Sequence, residues 1–158
     1  MVASGGSERS SMIKIRVCEA IDIEPSLPLV AMFYEESLKE YGLTFSTEAL
    51  QKVMEEHVKA KSSLVMLQDD MLVGVIAGKI ANVPFSDYKI FQETLWYVLP
   101  KYRGHGLKLF RECEKYCKSI GISSIVMGNM ANLNAEKMGK FYYSQGYKLM
   151  ETMYVKSL

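Results

Sequence analysis

The sequence has no long apolar run and no excess of charge of either sign. None of its apolar runs approaches the roughly 18 residues that a membrane-spanning helix needs. Its first residues, MVASGGSERSS, lack the apolar core of a signal peptide. Lys and Arg number 19 against 18 for Asp and Glu, whereas nucleic-acid binders usually carry a large basic excess. We therefore expect neither a membrane nor a nucleic acid as a partner.

Cysteine is scarce, with three in the chain. Cys113 and Cys117 lie four residues apart on a predicted helix, which is the spacing of one buried face. We interpret them as reduced core residues rather than as a redox pair or metal ligands. The cytoplasm is the expected compartment, and we expect no metal.

Length and composition are those of one ordinary domain. The 158 residues are 49% hydrophobic and 23% charged, which is typical of a globular protein. We interpret residues 1–11 as a disordered leader or a cloning remnant, and 12–158 as a single domain.

Hydrophobic periodicity predicts the order β-α-α-β-β-β-α-β-α-β, an α/β domain around a mixed sheet. The two prolines Pro25 and Pro28 are expected to form a turn before the first helix. The crossover between the strands on either side of the third helix is expected to be parallel and right-handed. The predicted elements are strand 13–20, helices 29–41 and 47–60 with Ser46 as N-cap, a hairpin over 63–83 with Asp69-Asp70 at its turn, strand 91–99, helix 104–119, strand 124–127, helix 134–144 and strand 147–156.

The segment LPKYRGHGLKLF, residues 99–110, places cations at the start of a helix. Lys101, Arg103, His105 and Lys108 oppose the helix dipole there, which disfavours positive charge. A bound anion would offset both the dipole and the cations, and glycines at a helix start let an anion approach the backbone N–H groups. The alternative is a solvated basic turn.

Two common phosphate-binding motifs are absent. The chain has no Gly-x4-Gly-Lys-Ser/Thr loop, and Leu109 breaks the Gly-x-Gly-x-x-Gly pattern. What remains is a strand followed by Pro-x-x-Arg-Gly-x-Gly and a helix, with Val98, Pro100, Arg103, Gly104 and Gly106 in register.

This pattern, in VLPKYRGHGLKLF, resembles the pyrophosphate-binding signature of the GNAT superfamily of acyl-CoA-dependent N-acyltransferases. The resemblance extends over roughly 12–158, since the element order and the pair Gly146-Tyr147 also match. It departs from the family pattern at Lys108, where the family has Gly or Ala. We favour the interpretation that the Lys108 ammonium adds a phosphate contact.

The resemblance implies acetyl-CoA as acyl donor and splayed fourth and fifth strands. The pyrophosphate would lie on the amides of the turn and the pantetheine along the fourth strand, with a backbone N–H near Val98 or Leu99 stabilising the oxyanion. The implied cofactor-binding residues are Tyr97, Val98, Leu99, Arg103, Gly104, His105, Gly106, Leu107, Lys108 and Asn134. Asn134 is alternatively a plain helix cap.

The resemblance also implies two proton-transfer groups. Glu93 is the candidate base that takes the amine's proton, with Gln92 and Glu36 as alternatives. Tyr142, four residues before Gly146, is the candidate acid for the departing thiolate. The competing interpretations are a polar strand-edge residue for Glu93 and core packing for Tyr142.

The acceptor would lie between the first two helices and the loop after the third strand. Phe33, Tyr34, Glu36 and Phe85 are the candidate acceptor-binding residues, and this acidic, aromatic set favours a cationic amine, either a small molecule or a lysine side chain. His57, on the second helix, is expected to be solvated.

Two other functions stay open at this point. One is a domain that senses CoA or acyl-CoA without transferring anything. The other is an interaction domain that forms a homodimer through the last strand, where Met150, Met153 and Tyr154 lie.

Overall fold

The computed structural model describes residues 12–158, and the leader predicted over 1–11 lies outside the described residues. Within this range the chain forms five strands and four α-helices. They are β1 (Ile13–Val17), α1 (Ile23–Ser37), α2 (Thr47–Ala60), β2 (Ser63–Gln68), β3 (Met71–Asn82), β4 (Lys89–Val98), α3 (Gly106–Ser119), β5 (Ser124–Val126) and α4 (Ala135–Ser144).

The strands form one mixed sheet in the order β1-β2-β3-β4-β5. All neighbours are antiparallel except β4 and β5, which are parallel and joined through α3. Helices α1 and α2 cover one face with Leu29, Val30 and Met54, and α3 covers the other with Leu109 and Cys113. The predicted fold class is thus confirmed. No helix within residues 12–158 is long and apolar enough to cross a membrane.

Helix α1 begins six residues before the predicted start, so the prolines do not form a turn ahead of it. Pro25 is its third residue, where the missing N–H would have had no partner inside the helix. β1 and α1 end three and four residues before their predicted ends, and the other boundaries agree with the prediction to within two residues. Ser46 caps α2 as predicted, because its hydroxyl accepts the Ala49 N–H at 3.3 Å.

The strand predicted over 147–156 does not form. A strand needs a neighbouring edge, and β5 has only three residues to offer. Apolar side chains of this segment therefore stand in solvent, with Met150, Met153 and Tyr154 at 72%, 82% and 94% exposure.

A β-bulge at Thr94 interrupts the pairing of β4 with β3. Ala77 pairs with Leu95 and Gly78 with Glu93, so that Thr94 is the extra residue. A one-residue slip exchanges the faces to which side chains point. Phe91 accordingly packs in the core under α3, whereas Leu95 and Tyr97 pack in the core under α1 and α2.

His57 is buried, and the prediction of a solvated side chain is wrong. Its Nδ1 lies 2.9 Å from the Ser62 hydroxyl and its Nε2 lies 3.2 Å from the Thr94 hydroxyl. Burial lowers the pKa of the ring, so the neutral form is favoured. The prediction followed the charged residues around His57 in the sequence, whereas the side chain faces inward and contacts Thr94 at the bulge of β4.

The bulge depends on Gly78, and this generates a test. A Cβ at this position would lie 2.5 Å from the Phe91 ring and 2.6 Å from the Gln92 carbonyl oxygen. We expect Gly78→Ala to lower the free energy of unfolding by about 1–3 kcal/mol in urea titrations, because the obstructing atoms include backbone. Gly139→Ala is the matched control, since nothing lies within 4 Å of its Cβ. Equal effects of the two substitutions would contradict this account.

Candidate active site

The basic turn is a short 3-10 helix, Pro100–His105, that leads directly into α3. A Cβ on Gly104 would meet nothing within 4 Å, so the space beside its backbone is open. The start of α3 has neither a side-chain cap nor an acidic residue in its first turn. The Gly106 N–H already donates to the Arg103 carbonyl oxygen, so an anion here would be bound by the N–H groups that follow it in the first turn.

Three of the four basic side chains of this turn are unpaired. Lys101, His105 and Lys108 are exposed and form no salt bridge with any carboxylate of residues 12–158. The Lys101 ammonium lies 5.7 Å from the centre of the Tyr102 ring. The turn therefore presents uncompensated positive charge beside open backbone.

Strands β4 and β5 separate soon after they meet. Their parallel pairing runs only from Ile90 to Gln92 on β4 and from Ser124 to Val126 on β5. From Glu93 to Val98, β4 continues paired with β3 alone. This gap between the strands leaves one edge of the β4 backbone free, as an extended ligand would require.

Glu93 and Tyr142 both contact the backbone of one residue, Gly128, at the gap. The Glu93 carboxylate accepts the N–H of Gly128 at 3.2 Å, and the Tyr142 hydroxyl donates to the carbonyl oxygen of Gly128 at 2.9 Å. Gly128 follows two residues after the end of β5. The two predicted proton-transfer residues thus lie together.

Burial shifts the pKa of both groups. It raises the pKa of Glu93 to about 7, although the Gly128 N–H partly offsets this by stabilising the carboxylate. The pKa of Tyr142 is raised by burial first and by the Glu93 charge second. At neutral pH the pair therefore combines a proton acceptor of suitable strength with a protonated phenol.

The residues next to the two candidates in sequence differ from them in setting. Tyr143 is 59% exposed, whereas Tyr142 is buried against Phe110 and Tyr147. Gln92 is exposed and its amide cannot serve as a base at neutral pH. Tyr142 is therefore both a packed aromatic residue and a hydrogen-bond donor.

Glu36 lies in a different cluster, formed by α1, β4 and the turn. Its carboxylate accepts the Tyr97 hydroxyl at 2.8 Å and an Arg103 guanidinium N–H at 3.0 Å. The Arg103 Nε also donates to the Val98 carbonyl, and its guanidinium lies 5.5 Å from the centre of the Tyr97 ring. Phe33 meets Tyr97 edge to face at 6.3 Å. Two predicted acceptor-binding residues, Glu36 and Phe33, thus contact predicted cofactor-binding residues: Glu36 contacts Tyr97 and Arg103, and Phe33 contacts Tyr97.

The remaining predicted residues lie apart from these two clusters. The Tyr34 ring packs against the Phe45 ring at a tilt of 37°, and its hydroxyl donates to the Leu43 carbonyl. Phe85 is fully exposed, with a φ of 68° in the loop after β3. Asn134 precedes α4 without capping it, and it lines a shallow depression of about 540 Å³ whose lining includes neither Glu93 nor Tyr142.

Sequence reasoning missed Gly128. The Asn132 side chain donates to the Ser37 carbonyl at 3.3 Å and so connects the loop after β5 to the end of α1. Gly128 contributes only its backbone N–H and its carbonyl oxygen, which nearly every residue also has. A glycine just past a predicted parallel strand was its only signal.

Comparison with known proteins relates this geometry to one family. Residues 30–147 match the family model described as acetyltransferase (GNAT) family. None of the curated proteins matches the sequence significantly.

Solved structures share the fold at low sequence identity. An aminoglycoside N-acetyltransferase in complex with CoA aligns with a TM-score of 0.69 at 16% identity, over 96% of this chain and 97% of that one. A ribosomal-protein-alanine N-acetyltransferase from Brucella melitensis gives 0.69 at 18%, over 93% and 99%. A transcriptional regulator from Bacillus halodurans gives 0.72 at 14%, over 93% and 100%.

The elevated pKa of Glu93 can be measured at Gly128. Because the Gly128 N–H donates to this carboxylate, its amide chemical shift should titrate with a midpoint near 7. A carboxyl whose pKa rises on folding stabilises the fold fully below its unfolded pKa of about 4.3 and loses that contribution as the pH rises towards 7. In Glu93→Gln both the amide titration and this stability change should vanish. A midpoint near 4 would contradict the assignment.

Proposed function

This chain belongs to the acetyltransferase (GNAT) family, and we propose that it transfers an acetyl group from acetyl-CoA to a primary amine by direct attack. The observation that carries the proposal is the convergence of Glu93 and Tyr142 on the Gly128 backbone, beside the gap between β4 and β5. A proton acceptor and a proton donor are the two groups that this reaction requires.

The proposed proton transfers follow from the two side chains. A primary amine is mostly protonated at neutral pH and cannot attack in that state. The Glu93 carboxylate, with its pKa near 7, accepts the amine's proton directly or through a water molecule. The amine nitrogen then forms its bond to the acetyl carbon, and the bond from that carbon to sulfur breaks. Tyr142 donates its hydroxyl proton to the departing sulfur, and the second proton that the nitrogen loses on becoming an amide returns the phenolate to the phenol.

The basic turn fits the phosphates of acetyl-CoA. Open backbone at Gly104, the uncapped start of α3 and the free cation of Lys108 together make an anion site. In this proposal Lys108 supplies the contact that the family's Gly or Ala lacks. The free edge of β4 after Glu93 would hold the pantetheine arm.

The acceptor is proposed to be a cationic amine, either a small molecule or a lysine side chain. The support is Glu36, whose carboxylate lies among the rings of Phe33 and Tyr97. Carboxylates attract ammonium groups, and aromatic faces do so more weakly. Tyr97 and Glu93 point to opposite faces of β4 because of the bulge, so the amine would reach Glu93 through the gap.

Thermal unfolding tests the cofactor half of the proposal. Acetyl-CoA at about 100 times its dissociation constant should stabilise the fold by about 2.7 kcal/mol, a shift of several degrees. Lys108→Ala should reduce this shift, whereas Lys115→Ala, another exposed lysine of α3, should not. Absence of a shift for the unmodified chain would overturn the acyl-CoA proposal.

Kinetics with paired tyrosine variants test the chemistry. We expect Tyr142→Phe to lower kcat by about 10- to 100-fold with acetyl-CoA affinity unchanged, since it removes a proton donor. Tyr143→Phe is the matched control, because this neighbour is exposed, and its kcat should be unchanged. Equal rates in the two variants would contradict the role of Tyr142. Failure of a broad amine panel despite tight CoA binding would instead favour a CoA-sensing domain.

A further inference from the structure

Arg103 and Glu36 connect the two halves of the site. One Glu36 oxygen accepts from Tyr97 and the other from Arg103, so that both oxygens are engaged within the chain. Arg103 is also the residue directly before Gly104, beside the open backbone of the turn. It is the one cation of this turn that a carboxylate of residues 12–158 neutralises.

The ion pair is exposed enough to exchange partners. The Arg103 and Glu36 side chains are 52% and 38% exposed, and pairs of this kind contribute roughly 0–1 kcal/mol. The Arg16–Asp22 pair is different, because its carboxylate is 5% exposed and also accepts the Glu19 N–H. The first pair is therefore readily broken, whereas the second is a fixed part of the fold.

A phosphate is a stronger partner for this guanidinium than Glu36 is. Arginine binds phosphate oxygens through two parallel N–H bonds, whereas Glu36 takes a single N–H of Arg103 in this structure. Once Arg103 leaves, one Glu36 oxygen becomes available while Tyr97 still holds the other. A freed carboxylate beside Phe33 and Tyr97 has the chemistry to bind an ammonium group.

We propose that Arg103 covers the acceptor carboxylate of Glu36 until a cofactor phosphate draws the guanidinium to the turn. The proposal rests on the proposed function and adds to it a coupling between phosphate binding at the turn and the availability of the Glu36 carboxylate. Arg103 then has two positions, one on Glu36 and one on phosphate. Removal of the Glu36 charge should favour the second.

Calorimetric titration with CoA tests this coupling through a double-mutant cycle. Glu36→Gln should tighten CoA binding about two- to fivefold, because Arg103 no longer has to leave an ion pair worth up to ~1 kcal/mol. Arg103→Ala should weaken binding, and adding Glu36→Gln to it should restore nothing. Glu35→Gln is the matched control, since Glu35 lies next to Glu36 on α1 and pairs with Lys39 at 2.9 Å. It should leave CoA affinity unchanged.

Three results would overturn the coupling. They are an unchanged CoA affinity in Glu36→Gln, an equal tightening in the Arg103→Ala background, and an equal tightening in Glu35→Gln. The last two would mean that removing any nearby negative charge favours the polyanion. If the unmodified chain binds no CoA, the proposed function fails and the coupling with it. If CoA binds and Glu36→Gln has no effect, the coupling alone fails.

Discussion

Strands β4 and β5 share hydrogen bonds over three residues each, and both proposed halves of the site depend on where that pairing stops. Had it continued, the edge of β4 from Glu93 onward would be filled by backbone partners. Since the pairing stops, one edge of β4 has no strand partner from Glu93 onward. The arrangement of the site depends also on the Thr94 bulge, because the bulge turns Glu93 to one face of the sheet and Tyr97 to the other.

The two faces carry different chemistry as a result. On the α3 face the half-buried Glu93 carboxyl, with its raised pKa, lies near the buried Tyr142 phenol, a setting suited to moving protons. On the α1 face the Glu36 carboxylate is half-exposed and charged, a setting for attracting a cation. In the proposed function, β4 thus carries the acceptor-binding Tyr97 on one face and the proton-accepting Glu93 on the other, because Thr94 is inserted between them.

The sequence predicted much of the fold and part of this arrangement. The turn, the parallel crossover and the pairing of Glu93 with Tyr142 as candidates came from local patterns and from the resemblance they carry. It did not predict that Arg103 would meet Glu36, which lies 67 residues away in the chain, since pairings at that range depend on the assembled fold. The prediction for His57 was wrong because this residue shares the buried face of α2 with Met54, three residues before it, and its polar partner Thr94 lies at a bulge that no residue pattern marked. The prediction of a final strand over 147–156 was wrong because its composition favours a strand but the sheet offers it no long neighbouring strand to pair with.

The Gly128 backbone has a consequence for how such a site tolerates mutation. The N–H and C=O of residue 128 are present whatever its side chain is. The backbone, rather than a side chain, therefore sets the spacing between the Glu93 carboxyl and the Tyr142 hydroxyl. A Cβ would lie 3.4 Å from the Glu93 carboxylate, which is ordinary contact. A small side chain could therefore replace this glycine with both hydrogen bonds kept, which makes the backbone conformation of residue 128, rather than its identity, the constraint on this part of the molecule.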